Sequence, residues 1–236
     1  MSVNSNALSV SRPAPEVASL RDDRLDAREA FKRITDRISA TLLLIWTSPV
    51  IGLAMLLVKL TSRGPAIYAQ ERLGRGGTPF TIYKIRTMTH DCERDTGPTW
   101  CVPDDPRVTP IGRILRRTHL DELPQLWNVI RGELSLVGPR PERPAIAAKL
   151  ELTVPRYRDR LLVRPGLTGL AQVQLEPDTD VTSVRRKLFY DLYYVRNASP
   201  WLDLRITAST FFYIAGVPAS LLARVFGFPR LDTEQS

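Results

Sequence analysis

The sequence predicts a mostly helical α/β protein with a small sheet, held at a membrane by a helix broken at Ser48-Pro49 and by further helices near the C-terminus. Three observations carry this prediction. An uncharged apolar run of 21 residues lies between Ile38 and Val58. An alternating, β-branched stretch follows a glycine-rich turn at Gly74, Gly76 and Gly77. Between them and the C-terminus, segments of helical period carry arginine stripes toward two adjacent acids, Asp121 and Glu122.

Bulk composition sets the frame for these elements. The chain has 236 residues, enough for one ordinary domain with appended membrane elements. Hydrophobic residues make up 43% and charged residues 25%, which describes a folded chain and not a disordered one. Lys and Arg outnumber Asp and Glu 33 to 25, giving net charge +8 and a pI near 9.9, so anionic partners are favoured: phosphates, acidic lipid or nucleic acid. No nucleic-acid motif is present, and the positive charge lies beside apolar segments, so no nucleic-acid partner is expected. Cys92 and Cys101 lack metal-ligand spacing and read as free thiols, and His90 and His119 are isolated.

Along the chain, residues 1–20 are poor in large apolar side chains and are expected to form a disordered tail. A charged helix, "DDRLDAREAFKRITDR", leads into the apolar run, and the two together make a unit over 21–60. As a helix, 21 residues would extend about 31 Å at 1.5 Å each, close to the hydrocarbon thickness of a bilayer. Pro49 falls at its centre, where it removes a backbone hydrogen bond, and the Ser48 hydroxyl can serve the freed carbonyl. Lys32, Arg33 and Arg37 precede the run, while Lys59 and Arg63 follow it, so the positive-inside rule marks both ends as cytoplasmic. A re-entrant helix satisfies both features; a kinked spanning helix and a buried soluble helix are the alternatives.

A globular unit is expected over 61–201. "PFTIYKIRTM" reads as a strand, Asp91 to Asp105 as a polar loop, and "TPIGRILRRTHL" as a helix with Arg113, Arg116 and Arg117 on one stripe. Leu120, Leu123, Leu126, Trp127 and Ile130 follow helical spacing, with Pro124 tolerated in a first turn. Asp121 and Glu122 then fall at the helix start, as cap and first position. Acids there can simply cap N–H groups and complement the dipole, for about 0.5–2 kcal/mol. The arginines around them also fit phosphoryl transfer, in which cations compensate spreading phosphate charge and a carboxylate can hold Mg²⁺ or attack. Over 202–236, the uncharged stretch Ile206 to Ala223, with Phe211, Phe212, Tyr213 and Pro218, suits interfacial helices, with a second spanning helix as the alternative.

Read together, "TSPVIG", "SRGPAIYAQERLGRGGTPFTIYKIRTM", "DPRVTPIGRILRRT", "LDELPQL", "SLVGPRPE", "RPGLTGLAQV" and "FYDLYYVRNASPWLDL" resemble the bacterial sugar transferase family, the monotopic phosphoglycosyl transferases. The resemblance implies a monotopic protein on the cytoplasmic face of the bacterial inner membrane. Its re-entrant helix would be broken at Ser48-Pro49. The implied reaction moves a sugar 1-phosphate from a UDP-sugar to polyprenyl (undecaprenyl) phosphate and releases UMP, as a first membrane step of exopolysaccharide or lipopolysaccharide synthesis. By the same resemblance Asp121 is the nucleophile and Glu122, with Asp121, is tied to Mg²⁺. Lys84, Arg86, Arg116, Arg140 and Arg164 are implied as substrate contacts. Inner-membrane lipids are implied partners, and a homodimer is left open. Two alternatives remain beside it: a ternary complex in which Asp121 acts as a base, and a membrane-tethered binding module without catalysis.

Overall fold

The computed structural model describes residues 23–92, 94, 104–176 and 180–231. The tail expected over 1–20, Cys101, and Pro98 and Pro103 of the polar loop lie outside the described residues.

The chain begins with a long helix, α1 (Asp23–Thr61). An antiparallel hairpin follows, β1 (Ile67–Leu73) and β2 (Pro79–Ile85), joined by a short turn through Arg75–Gly77 in which Gly76 and Gly77 have positive φ. Helix α2 (Pro110–Arg117) leads into a 3₁₀ turn, Leu120–Gln125, which continues as α3 (Leu126–Arg131). Strand β3 (Ser135–Val137), helix α4 (Pro144–Thr153), a 3₁₀ turn Tyr157–Leu162, strand β4 (Gly166–Thr168) and helix α5 (Leu170–Gln174) come next. The chain closes with α6 (Val181–Asn197), α7 (Pro200–Ile214) and α8 (Ala219–Val225). The mostly helical character with little sheet agrees with the sequence expectation. β1, β3 and β4 were not read from the sequence.

Helix α1 lies along the domain on both sides of Pro49. Before the proline, Ala40 and Leu44 pack with Ile82, Leu126, Val129 and Leu134. After it, Ala54 and Val58 are buried with Ile85 and Leu115, and Ile51 and Met55 pack against them. Its other face leaves Ile38, Leu42, Ile45, Trp46, Leu53, Leu56 and Leu60 exposed, an apolar surface that suits lipid contact. It is the one helix among the described residues long and apolar enough to cross a membrane. The helix continues through Pro49, and the Ser48 hydroxyl donates to the Ile45 carbonyl at 2.8 Å, the group whose usual partner would be the missing N–H of residue 49. Thus the local chemistry expected at Ser48-Pro49 is present within an uninterrupted helix.

The stretch Ile206 to Ala223 is divided into two helices. Gly216, at φ 88°, and Pro218 separate α7 from α8. The inner face, with Leu202, Ile206, Ala223 and Phe228, joins Val137, Leu170 and Tyr194 in one core cluster, while Trp201, Leu204, Phe211, Phe212, Leu221 and Val225 stay exposed. Fifteen residues in α7 reach only about 22 Å at 1.5 Å each, short of a bilayer core.

Candidate active site

Four short segments meet around the acidic pair. The first is β2, where strand alternation places Ile82 and Lys84 on one face: Ile82 enters the core and Lys84 arrives beside the 3₁₀ turn. The edge of β2 is held by the side-chain amide of Asn128 on α3, which donates to the Thr81 carbonyl at 2.7 Å and accepts from the Tyr83 N–H at 3.3 Å. A fully buried amide here supplies two of the bonds that a neighbouring strand would give.

The second segment is the turn bearing the acids. α2 ends at Arg117 with Thr118 as its C-cap, and His119 then takes a left-handed conformation, φ 55°, so that Leu120 starts the 3₁₀ turn. Asp121 and Glu122 therefore sit inside the first turn, and His119, exposed, occupies the cap position. The expectation of cap and first position is corrected in this detail, because the tight α2-to-turn connection uses Thr118 and His119 as its corner.

The third segment is the loop "GPRPE" after β3. Gly138 and Gly166 approach so closely where β3 meets β4 that an added Cβ on either would collide with the other strand's backbone. Four consecutive carbonyls of the loop are each occupied: Pro139 O by Gly166 N at 2.9 Å, Arg140 O by Arg160 Nη2 at 2.8 Å, Pro141 O by Arg72 Nη1 at 3.1 Å, and Glu142 O by Leu73 N at 2.9 Å. From this fixed backbone the Arg140 side chain extends to Glu122.

The resulting geometry is asymmetric. Glu122 Oε1 accepts from Lys84 Nζ at 2.7 Å and from Arg140 Nη2 at 2.5 Å, and its Oε2 lies 3.3 Å from Arg140 Nη1. Burial alone would push the Glu122 carboxyl up, but the Arg140 and Lys84 charges outweigh it and hold it well below the usual carboxylate range. Asp121 is buried, and among the described residues its carboxylate makes no hydrogen bond or ion pair. Burial, followed by the adjacent Glu122 charge, raises its pKa, against the pull of Lys84, Arg116 and Arg140. Burial also draws the Lys84 ammonium below its ordinary value, against the attraction of Glu122.

The fourth segment is α2, which contributes Arg116; its Nε donates to the Thr87 hydroxyl at 2.8 Å, and its charge acts on Asp121. The structure thus brings together Lys84, Arg116, Asp121, Glu122 and Arg140. It engages two other predicted contacts elsewhere. Arg86 is buried and donates to the carbonyls of Ser62 and Arg63 and to the Ser62 hydroxyl, closing the C-terminal end of α1. Arg164 is buried against α1, with Nε 2.8 Å from Glu29 and Nη2 3.6 Å from Asp36. Asn128, Arg72 and Arg160, which hold β2 and the loop, were missed. For Asn128 the available signal was a lone amide within the apolar "LWNVI".

Two further features bear on chemistry. Mg²⁺ takes oxygen ligands and is commonly held by one or two carboxylates plus phosphates and water. Asp121 and Glu122 supply that donor type, and no group of three or more His, Cys, Asp or Glu stands ready for a metal among the described residues. The pair therefore fits Mg²⁺ only if the remaining oxygens come from a bound phosphate and water. An apolar recess of about 390 Å³ is lined by Leu44 and Ile51 of α1 with Ile67, Tyr83, Pro124 and Trp127. Tyr83 precedes Lys84, and Pro124 follows Glu122 by two residues.

Comparison with known proteins gives a consistent picture. The model of the bacterial sugar transferase family matches residues 27–216. The chain is 45% identical over 202 residues to the UDP-glucose:undecaprenyl-phosphate glucose-1-phosphate transferase of Caulobacter vibrioides, covering 84% of this chain and 71% of that protein. It is 41% identical over 203 residues to the exopolysaccharide production protein PSS of Rhizobium leguminosarum bv. phaseoli, covering 84% and 98%. With the UDP-N-acetylgalactosamine-undecaprenyl-phosphate N-acetylgalactosaminephosphotransferase of Aeromonas hydrophila it shares 38% identity over 180 residues, 76% of this chain but only 42% of that longer protein.

Proposed function

The chain belongs to the bacterial sugar transferase family, and we propose that it transfers a sugar 1-phosphate from a UDP-sugar to undecaprenyl phosphate through a covalent phosphosugar on Asp121. The observation that carries this reading is the division between the two acids. Glu122 is fully engaged by Lys84 and Arg140, whereas Asp121 carries an unengaged carboxylate of raised basicity amid the same cations. One acid organises charge; the other is free to attack.

In the first step, an Asp121 carboxylate oxygen bonds to the phosphorus bearing the sugar. The bond from that phosphorus to the bridging oxygen breaks, and UMP leaves with the electron pair. In the second, an undecaprenyl phosphate oxygen attacks the same phosphorus, the acyl phosphate bond breaks, and the Asp121 carboxylate is restored. Arg140, with 38% of its side chain exposed, and Lys84 can turn from Glu122 toward the diphosphate as it arrives, neutralising charge where it accumulates. Asp121 and Glu122 would hold Mg²⁺, which supplies Lewis-acid neutralisation of phosphate when bound. The apolar recess offers surface to the lipid substrate, and its α1 residues flank Pro49.

Two supports favour attachment from a single face, the cytoplasmic face of the inner membrane. Basic residues flank the apolar run on both sides, and both halves of α1 rest on the same domain. A spanning helix docked along its length would draw the charged site into lipid, at large desolvation cost. Single cysteines near Lys32 and Lys59 should both be labelled from the cytoplasmic side; labelling from opposite sides overturns re-entrance. The reaction is tested by incubating the protein with a panel of UDP-sugars and undecaprenyl phosphate. UMP and a diphosphate-linked lipid sugar are expected with at least one donor, and none with any donor would defeat the reading.

The raised pKa of Asp121 also suits a general base that activates the lipid phosphate in a ternary complex. Donor alone separates the two, since only the covalent route releases UMP before lipid is added.

A further inference from the structure

We propose that Arg160, paired with Asp191, is a positioning residue that sets the reach of Arg140 toward the acidic pair. Its guanidinium is buried and engaged at all three nitrogens: Nε donates to Asp191 Oδ2 at 2.9 Å, Nη1 to the Tyr157 hydroxyl at 2.9 Å, and Nη2 to the Arg140 carbonyl at 2.8 Å while lying 2.7 Å from Asp191. Asp191 projects from α6, and Tyr157 packs with Val184 and Leu188 of the same helix. The contact therefore ties the backbone of Arg140 to the middle of a 17-residue helix.

The contact is stronger than capping a single carbonyl requires. A carbonyl needs one neutral donor, and a buried ion pair seldom stabilises a fold more than apolar residues of the same volume would. What the pair adds is a stiff, charge-assisted bond at one point of the backbone. Pro139 and Pro141 flank that point and have no N–H to anchor, so the loop is held through its carbonyls. Arg160 holds the carbonyl of the very residue whose side chain meets Glu122. Arg72, on Pro141 O and Glu142, fixes the next residues from the other side. Release of the Arg140 carbonyl would leave the guanidinium on a longer, looser lever, and a displacement of about 1 Å can cost a hundredfold in rate.

This inference rests on the proposed transfer reaction, and a double-mutant cycle tests it. Arg160→Lys keeps a buried cation for Asp191 but cannot span Asp191, Tyr157 and the Arg140 carbonyl together. UMP release from the UDP-sugar is measured for the unmodified protein, Arg160→Lys, Arg140→Ala and the double variant, with a thermal midpoint for each. If the unmodified protein releases no UMP, the functional reading fails and the cycle is not reached. If it does, Arg160→Lys is expected to lower kcat by about tenfold to a hundredfold, with a smaller effect on KM. In the Arg140→Ala background the same change should cost less than about twofold, because its effect passes through a side chain already gone. Equal losses in both backgrounds, or a loss explained by unfolding at the assay temperature, would overturn the positioning role. Asp191→Asn supplies a second variant should Arg160→Lys fold poorly, and the same non-additivity with Arg140→Ala is expected of it.

Discussion

Two dense clusters of charge among the described residues differ in what they leave unfinished. Around α1, Lys32 Nζ lies 2.6 Å from Asp203, the Ser135 hydroxyl donates to Asp36 at 2.7 Å, Arg164 reaches both Glu29 and Asp36, and the Tyr194 hydroxyl donates to Asp203 at 2.7 Å. These bonds join the start of α1 to β3, the residues before β4, α6 and α7, and every acid in the group has a partner. At the dyad, Lys84 and Arg140 satisfy only Glu122, while Asp121 stands among cations with its carboxylate unengaged among the described residues. The first cluster fastens a helix to a domain. The second keeps one acid available, at a cost in stability that a purely structural site would not bear.

Substitutions should separate the two clusters. The largest expected effect is on activity: Asp121→Asn should lower UMP release by about three orders of magnitude or more, the scale on which loss of a nucleophile is felt. Its thermal midpoint should hold or rise, since a buried charge beside Glu122 is removed. A fall in midpoint with activity retained would place Asp121 with the structural acids. Next comes Asp36→Asn. Breaking a buried pair by removing one partner costs about 3–5 kcal/mol, which for a chain of this size lowers the midpoint by about 10 °C, while turnover well below that temperature stays within about threefold of the unmodified protein. A thousandfold loss of turnover in folded Asp36→Asn would erase the distinction.

The smallest effect is on pH dependence. The attacking carboxylate must be ionised, and burial followed by Glu122 raises its folded pKa, so the acid limb of kcat should lie above the ordinary aspartate value. Glu122→Gln removes one of those two causes and should move the limb downward, along with its loss of rate. A limb that does not move, or moves upward, would mean that another group controls it. Stability runs with the opposite sign at Glu122. Its folded pKa is depressed, so its contribution is present above the ordinary glutamate value and is lost as pH falls through the folded one.

The site was legible where chemistry is local. Asp121, Glu122, Arg140 and Lys84 stand in short motifs, and the turn, loop and strand that carry them bring them together without surprise. Arg86 and Arg164 could not be read in the same way. Their partners are 24 and 135 residues distant, and an arginine that closes a helix end is indistinguishable in sequence from one that awaits a phosphate. β3 and β4 escaped because three residues each carry no period, and their pairing depends on two glycines meeting across 28 positions. Asn128 and Arg160 act on backbone groups, which sequence motifs do not display. In the apolar run the hydroxyl bond at Ser48 was foreseeable from Pro49, and the docking of both halves on one domain was not.

The most direct measurement incubates the purified protein with UDP-sugar and Mg²⁺ in the absence of any lipid acceptor, then weighs the peptide containing Asp121. The account predicts one equivalent of UMP per chain and a peptide heavier by a sugar phosphate, which discharges when undecaprenyl phosphate is added. An unmodified peptide and no UMP, from a preparation that transfers normally once lipid is present, would contradict it.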